Sequence, residues 1–226
     1  MRSSKKTSAA QRKKARKYNE TGIKHFDAWE LEDSLIAFAD AVAADDSEPD
    51  YHMNLARGYA RSGRFDQAIE ALGGYLHVET DEKIASRFEK LFSSALDPVE
   101  EGLITGLREL KAPMQLIGKT IQMWLEFRIT YGRRQLRIPK PEIWSAALTF
   151  AIFKVNMNEV AAEEIQAHYN VTERSLKEKY EEIIKTLDLM PGDYRYFVGA
   201  ENPLDKLVDA AHELDDIYNQ FHNNGK

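Results

Sequence analysis

Cationic side chains are the residues of this sequence whose type and spacing best suit a definite chemistry, the binding of anions. Arginine and lysine donate charge-assisted hydrogen bonds to phosphate and carboxylate oxygens. Six such residues gather around a proline-containing connector and are the candidate nucleic-acid-binding residues: Lys119, Arg128, Arg133, Arg134, Arg137 and Lys140. A second basic run places eight bases and no acid within the first 17 positions. Both groups suit an anionic partner.

The rest of the sequence is acidic, which argues against a nucleic-acid partner. The net charge is −6, and beyond residue 17 only 23 bases stand against 37 acids. Phosphate contacts supply most of the affinity for nucleic acid, so an acidic body repels it. We therefore interpret residues 1–14 as a flexible basic arm that solubilises the protein or offsets its acidic body. An arm that binds nucleic acid is the alternative.

Motifs of catalysis and of metal binding do not occur in the sequence. It contains no cysteine, no glycine-rich phosphate loop, no H-E-x-x-H pair and no nucleophile elbow. The six histidines are scattered, and none stands at a metal-site spacing from a carboxylate. We expect no enzymatic activity, no cofactor and no metal site. Because no run of about 18 apolar residues or signal-peptide core occurs, we expect a cytoplasmic protein without a membrane partner.

Helical periodicity extends through most of the chain and predicts an all-α fold. Two stretches match each other at a spacing of about 34 residues, the period of a solenoid built from helix pairs. Small residues recur where two helices approach closely, and bulky residues recur where a pair fills space. The matched residues are Gly22, Ser34, Phe38 and Ala41 in the first stretch, and Ala56, Ala68, Leu72 and Tyr75 in the second.

Together with Leu55, Tyr59, Gly63 and Phe65, these residues resemble the tetratricopeptide repeat family over about residues 15–82. The resemblance implies that the inner helix of each pair lines a groove for a peptide or partner helix. It places eight residues on this concave face: Asn19, Ile23, Phe26, Asp27, Met53, Arg57, Ala60 and Arg61. Their mixture of apolar and arginine side chains suggests an apolar peptide that carries an acidic group.

Some members of that family hold a C-terminal carboxylate in a basic clamp. Asn54 matches one element of the clamp, but Ile23, Ile84 and Phe88 replace other polar elements. The resemblance therefore implies a groove without this clamp.

Two repeats bury too little surface to be stable alone. We expect helices over 84–95 and 98–110 to cover them as a degenerate third pair, so that residues 15–110 form a short repeat solenoid. Residues 111–137 are predicted to hold a linking amphipathic helix, 114–131, and the basic connector. The domain boundary is expected near residue 138.

Residues 138–226 are predicted to form a second helical bundle that contains a helix-turn-helix. An apolar helix over 142–155 precedes helices over 161–168 and 173–187, with Thr172 as the N-cap of the latter. The stretch 138–189 resembles one repeat of the cyclin fold, as in the core domain of general transcription initiation factor B. The resemblance depends on residues 141–147, 162–165, 171–172 and 175–176. A last helix, 203–221, has an apolar stripe that covers its own chain or a second copy in a homodimer.

The sequence thus favours a non-enzymatic adaptor or scaffold that binds a peptide or partner helix in the repeat groove. The alternative is a transcription-associated or nucleic-acid-binding regulator that uses the helix-turn-helix with the basic arm and connector.

Overall fold

A computed structural model describes residues 7–92 and 96–199. The described residues form ten α-helices, one 3-10 helix and no strand, which confirms the expected all-α class. The α-helices, in chain order, are α1 Ala9–Asp27, α2 Leu31–Ala44, α3 Pro49–Arg61, α4 Phe65–Val78, α5 Glu82–Glu89, α6 Pro98–Glu109, α7 Met114–Tyr131, α8 Pro141–Val155, α9 Ala162–Tyr169 and α10 Glu173–Leu187. The 3-10 helix, Lys90–Phe92, follows α5. Within the described ranges, no helix is both long and apolar enough to cross a bilayer.

Helix α1 begins inside the segment that was expected to be a flexible arm. The Ser8 hydroxyl oxygen accepts a hydrogen bond from the Gln11 backbone N–H at 3.2 Å, and the Gln11 side chain accepts one from the Ser8 N–H at 3.0 Å. These reciprocal bonds form a capping box, which satisfies two backbone donors at the helix start. The expectation of an arm is therefore wrong for residues 9–14, because the cap starts the helix without an apolar stripe.

The turns that end α1 and α3 have the same geometry and lie one repeat period apart. Trp29, at φ +62°, and Gly63, at φ +76°, both adopt the left-handed conformation. The N–H of the next residue, Glu30 or Arg64, donates to a carbonyl five residues earlier at 2.9 Å in both turns. This six-to-one bond is the Schellman ending of a helix. Helices α2 and α4 consequently begin at matching positions of the repeat.

The side chains that match at this spacing are buried in both helix pairs. The buried set is Gly22, Ser34, Phe38, Ala41, Ala56, Ala68, Leu72 and Tyr75. A Cβ atom at Gly22 would lie 2.5 Å from a ring carbon of Phe38. Helices α1 and α2 therefore approach closely because residue 22 has no side chain. Further contacts join α2 to α3, and α3 to α4.

The chain divides into two compact units, each assembled from two stretches of sequence. Unit 1 takes its described residues from 1–101 and 122–141, and unit 2 from 102–121 and 142–226. The chain passes from one unit to the other inside α6, inside α7 and after residue 141. The last of these points lies near the boundary expected at residue 138, whereas the two points inside helices were not expected. The physical reason in unit 1 is that the second half of α7 belongs to its core. Ile129 is buried there beside Tyr75 and Phe88, and Leu125 packs against them.

Unit 2 contains the apolar helix α8 and the pair α9 and α10. Trp144, Leu148 and Ile152 of α8 are at most 2% exposed. Thr172 caps α10 as predicted, since its hydroxyl accepts a hydrogen bond from the Ser175 N–H at 3.3 Å. The predicted helix over 203–221, and with it the homodimer surface, lies outside the described residues.

Candidate functional site

A cavity of about 410 Å³ in unit 1 opens between α1, α3 and the end of α7. Four of the eight predicted groove residues line it: Asn19, Ile23, Met53 and Arg57. The opposite wall is formed by residues 130–134, which end α7 and start the connector. The cavity thus joins the predicted groove to two of the predicted nucleic-acid-binding residues, Arg133 and Arg134.

The other four predicted groove residues are not part of the cavity lining. Phe26, Ala60 and Arg61 are buried, at no more than 7% exposure, and Asp27 is exposed. The Arg61 guanidinium lies 4.1 Å from the centre of the Phe26 ring and 5.0 Å from that of Trp29. A cation over an aromatic face is held by the ring quadrupole. These residues therefore support the inner helices.

A chain of hydrogen bonds orients Arg57 along the floor of the cavity. Asn54 donates through Nδ2 to Asn19 Oδ1 at 2.9 Å, and its own Oδ1 accepts from Arg57 Nη1 at 3.1 Å. The guanidinium also lies 5.2 Å from the centre of the Phe26 ring. With both sides of the Asn54 amide in use, the Arg57 side chain has a defined position before any ligand binds.

Arg57 is a half-buried cation whose guanidinium is not fully hydrogen-bonded. Burial lowers the pKa of Arg57, and the positive charges of Arg61 and Arg134 lower it further, while Asp27 acts in the opposite direction. Arg57 Nε is buried without a hydrogen-bond partner among the described residues, and so is Thr130 Oγ1 on the opposite wall. Buried polar groups are normally hydrogen-bonded. Both residues line the cavity, so each of its two walls holds a buried polar atom without a partner.

Arg133 anchors the turn after α7 to unit 1. Its Nε lies 3.0 Å from Glu79 Oε2, and its Nη1 lies 3.3 Å from Asp50 Oδ1. Tyr75 donates its hydroxyl hydrogen to the same Glu79 carboxylate. Burial raises the pKa of Glu79, but the hydrogen bonds from Tyr75 and from the Asp81 N–H, with the charge of Arg133, leave the pKa below its ordinary value. The positive charge of Arg133 is thus already compensated.

Arg134 is held in place by its backbone and by an aromatic ring. Arg87 donates to the carbonyl oxygens of Gly132 and Arg134, which satisfies acceptors beyond the end of α7. Arg134 donates through Nε to the Tyr131 carbonyl at 3.1 Å, and its guanidinium lies 4.2 Å from the Tyr131 ring centre. No acidic residue in the described ranges pairs with Arg134. Two guanidiniums that form no ion pair within the described residues, Arg57 and Arg134, therefore line one cavity.

The remaining predicted nucleic-acid-binding residues differ in their burial and in their partners. Lys119 belongs to unit 2, where it donates to the Arg195 carbonyl at 2.8 Å. Arg137 and Lys140 are exposed on the connector. Arg128 is only 11% exposed and pairs with Asp97 at 2.6 Å. Arg128 is therefore not available on an exposed basic surface, unlike Arg137 and Lys140.

Asp97 explains why Arg128 faces inward. One oxygen of Asp97 caps α6 by accepting from the Val99 and Glu100 N–H groups at 2.8 and 2.9 Å. The other oxygen accepts from Trp124 Nε1 at 2.9 Å and from Arg128 Nη1 at 2.6 Å. Burial lowers the pKa of Arg128, and the two carboxylates of Asp97 and Glu100 oppose this. Arg128 is therefore part of the packing of unit 1.

His25 lies beside two carboxylates, although its spacing in the sequence did not indicate a metal site. Its Nδ1 is 2.5 Å from Glu30 Oε2, and a ligand atom of Asp33 completes a group within 4.8 Å. The left-handed turn at Trp29 reverses the chain and creates this proximity, which sequence spacing alone did not indicate. Because the contact spans that turn, we interpret it as part of the turn's closure.

Four residues that line the cavity were not predicted from the sequence: Asp50, Thr130, Tyr131 and Gly132. The sequence feature that could have indicated them is the apolar stripe of the predicted helix 114–131, because the second helix pair needs a covering element.

Comparison of the chain with protein-family models, with curated proteins and with solved structures finds no match. Functional inference therefore depends on the geometry of the cavity.

Proposed function

We propose that this chain is a non-enzymatic interaction protein whose unit 1 binds a peptide or a partner helix in the cavity between α1, α3 and the end of α7. In this proposal, α1 to α4 are two tetratricopeptide-like helix pairs of a short solenoid. Unit 2 is a cyclin-like bundle with a helix-turn-helix that stabilises the array or docks a second protein. The proposal includes a cytoplasmic location.

One observation carries the proposal: apolar and cationic side chains from α1, α3 and the turn after α7 converge on one open cavity. Ile23 is 39% exposed although it is apolar, and it lines the cavity with Met53. Arg57 and Arg134 add hydrogen-bond donors to the same lining. Apolar contact area with a few fixed polar groups is the combination that recognises a peptide or a helix in a groove.

The alternative function, a transcription-associated or nucleic-acid-binding regulator, has less support. Lysines of α10 are paired with glutamates: Lys179 lies 2.8 Å from Glu182 Oε2, and Lys177 lies 3.9 Å from Glu181 Oε1. These pairs reduce the positive charge that a phosphate backbone would need. Retention of the full chain on heparin at about 0.15 M salt, lost when residues 1–17 are deleted, would favour this alternative.

The test of the groove is a selection from a phage-displayed library of random peptides on the full chain. Ile23→Arg places a long charged side chain in the cavity lining. Ile36→Arg is the matched control, since Ile36 is 62% exposed on α2 and is not a lining residue. Because both substitutions replace an exposed isoleucine, both variants should keep the far-ultraviolet circular dichroism of the wild type.

We expect peptides that bind the wild type and Ile36→Arg but bind Ile23→Arg at least about tenfold more weakly, which corresponds to roughly 1.4 kcal/mol. Peptides that bind all three proteins equally would show that recognition occurs elsewhere on the chain. A failure to select any peptide sensitive to Ile23→Arg would contradict the proposed function.

A further inference from the structure

The peptide-binding cavity contains a site for one particular chemical group, an inference that rests on the proposed function. We propose that Arg57 and Arg134 together bind the side-chain carboxylate of an aspartate or glutamate in the partner peptide. One arginine comes from α3 and the other from the turn after α7, and both line the cavity. The second arginine lies outside the two helix pairs, so the site is formed only when α7 completes unit 1.

Electrostatics favours an anion at this position. Arg57 and Arg134 have no carboxylate partner among the described residues. Other arginines of unit 1 do form such ion pairs, namely Arg64, Arg128 and Arg133. Arg134 is near enough to lower the pKa of Arg57, after the larger effect of burial. Arg57 is half-buried and Arg134 is exposed at the edge of the cavity. A carboxylate bound near both would reduce the repulsion between these two like charges.

The hydrogen-bond donors of arginine suit a planar carboxylate. Arginine presents N–H donors in a fixed fork, and a carboxylate accepts hydrogen bonds through two oxygens. Asn54 and the Phe26 ring hold the Arg57 fork, and Tyr131 holds that of Arg134. A side chain that is oriented before binding loses little conformational freedom when it binds.

Neighbouring acidic residues disfavour larger anions. Asp50 lines the cavity, and the buried Glu79 carboxylate lies next to it through their shared partner Arg133. A nucleic-acid strand or a doubly charged phosphate would approach these carboxylates as well as the arginines. Asp27 also acts on Arg57. A single carboxylate among apolar residues is therefore the favoured ligand, with the apolar residues against Ile23 and Met53.

The test uses the full chain and two phage-displayed random-peptide libraries, one of which lacks aspartate and glutamate. Selected peptides are synthesised, and their dissociation constants are measured by fluorescence anisotropy. The variants are Arg57→Gln, Arg57→Lys and Arg134→Gln. Arg137→Gln is the matched control, since Arg137 is an exposed arginine of the same connector that lies outside the cavity. Circular dichroism checks the fold, and Arg134→Gln serves if the Arg57 variants do not fold.

We expect selection from the acid-containing library alone, with one acidic position common to the peptides. Replacing that residue by its amide should weaken binding to the wild type about tenfold or more, because two charge-assisted hydrogen bonds are lost. Arg57→Gln and Arg134→Gln should each weaken binding of the acidic peptide, and each should reduce the difference in affinity between the acid and its amide. Arg57→Lys should recover part of the loss, and Arg137→Gln should bind as the wild type does.

Several results would overturn the inference. If peptides from both libraries bind equally and remain sensitive to Ile23→Arg, the carboxylate site is wrong and the proposed function stands. If no peptide is sensitive to Ile23→Arg, both are wrong. Tighter binding of a phosphoserine peptide than of the glutamate peptide would assign the site to phosphate. Heparin retention that Arg134→Gln abolishes would assign it to a polyanion.

Discussion

The close approach of α1 to α2 gives the sharpest stability prediction. In Gly22→Ala, the new Cβ atom would lie 2.5 and 2.6 Å from two carbons of the Phe38 ring, which is 2% exposed and has little room to move. Two such short contacts place the cost of overpacking in the upper part of its usual range, at about 2–3 kcal/mol. Alanine recovers roughly 1 kcal/mol because it is the better helix former. We therefore expect the free energy of unfolding to fall by about 1–2 kcal/mol, the difference of these two effects.

The second helix pair supplies the compensating substitution. At the matching positions of that pair, Ala56 and Leu72 stand in place of Gly22 and Phe38, and both are fully buried in one core cluster. Phe38→Leu alone should cost about 1–2 kcal/mol through lost ring volume. The double variant Gly22→Ala/Phe38→Leu should be more stable than the sum of the single effects predicts, by about 1 kcal/mol.

The assay is urea unfolding of the four proteins, followed by circular dichroism and analysed as a double-mutant cycle. Gly73→Ala is the control, because a Cβ atom there meets nothing within 4 Å. It should raise the free energy of unfolding by about 0.5–1 kcal/mol, as expected when helical glycine becomes alanine. Additive effects of Gly22→Ala and Phe38→Leu, or a stable Gly22→Ala, would refute the argument from close approach.

Three further predictions concern an acid-sensitive ion pair, a helix cap and a strained turn. Glu79→Gln should lower the free energy of unfolding at neutral pH by about 2 kcal/mol. The folded-state pKa of Glu79 lies below its ordinary value of 4.5, so this difference in stability should shrink as the pH falls below 4.5. Urea unfolding at several pH values would measure it, and a difference that stays constant with pH would contradict the prediction. Asp97→Asn keeps an acceptor for the α6 cap but removes the charge beside Arg128, so it should lower the free energy of unfolding by about 1–3 kcal/mol. Asp97→Ala removes the cap as well and should lower it further, which thermal unfolding would measure. Lys111, at φ +58°, should tolerate glycine with a gain of roughly 1 kcal/mol, whereas Lys111→Ala should give no gain in the same melts.

Helices whose signals are local were predictable from the sequence. The predicted ranges 114–131 and 173–187 coincide with α7 and α10. In both, apolar residues recur every three or four positions, and Thr172 marks the start of the second. The start of α1 carried a local signal too, the Ser8 and Gln11 capping box. The basic run beside this capping box predicted a solvated arm instead of a helix.

The composition of the cavity was not predictable, because it depends on contacts between residues far apart in sequence. Arg133 pairs with Asp50, 83 positions earlier. Nothing near either residue in the sequence indicates this partner. The resemblance to a repeat family implied that Asn19 and Arg57 line a groove, whereas the charge of Arg134 alone suggested a nucleic-acid surface. Charge indicates what a side chain can bind, but tertiary packing decides which side chains bind together.

The interleaving of the two units along the chain has a consequence for synthesis. Unit 1 needs residues 122–141, and residues 102–121 of unit 2 leave the ribosome before them. Domains of larger proteins commonly fold one after another from the N-terminus as they are synthesised. Here the first unit cannot be completed before part of the second has emerged, so the nascent chain holds the helix pairs with their α7 contacts still unmade. Until Ile129 has been synthesised, the apolar surface around Tyr75 and Phe88 lacks one of its core contacts. A chaperone would therefore be most useful during this stage of synthesis.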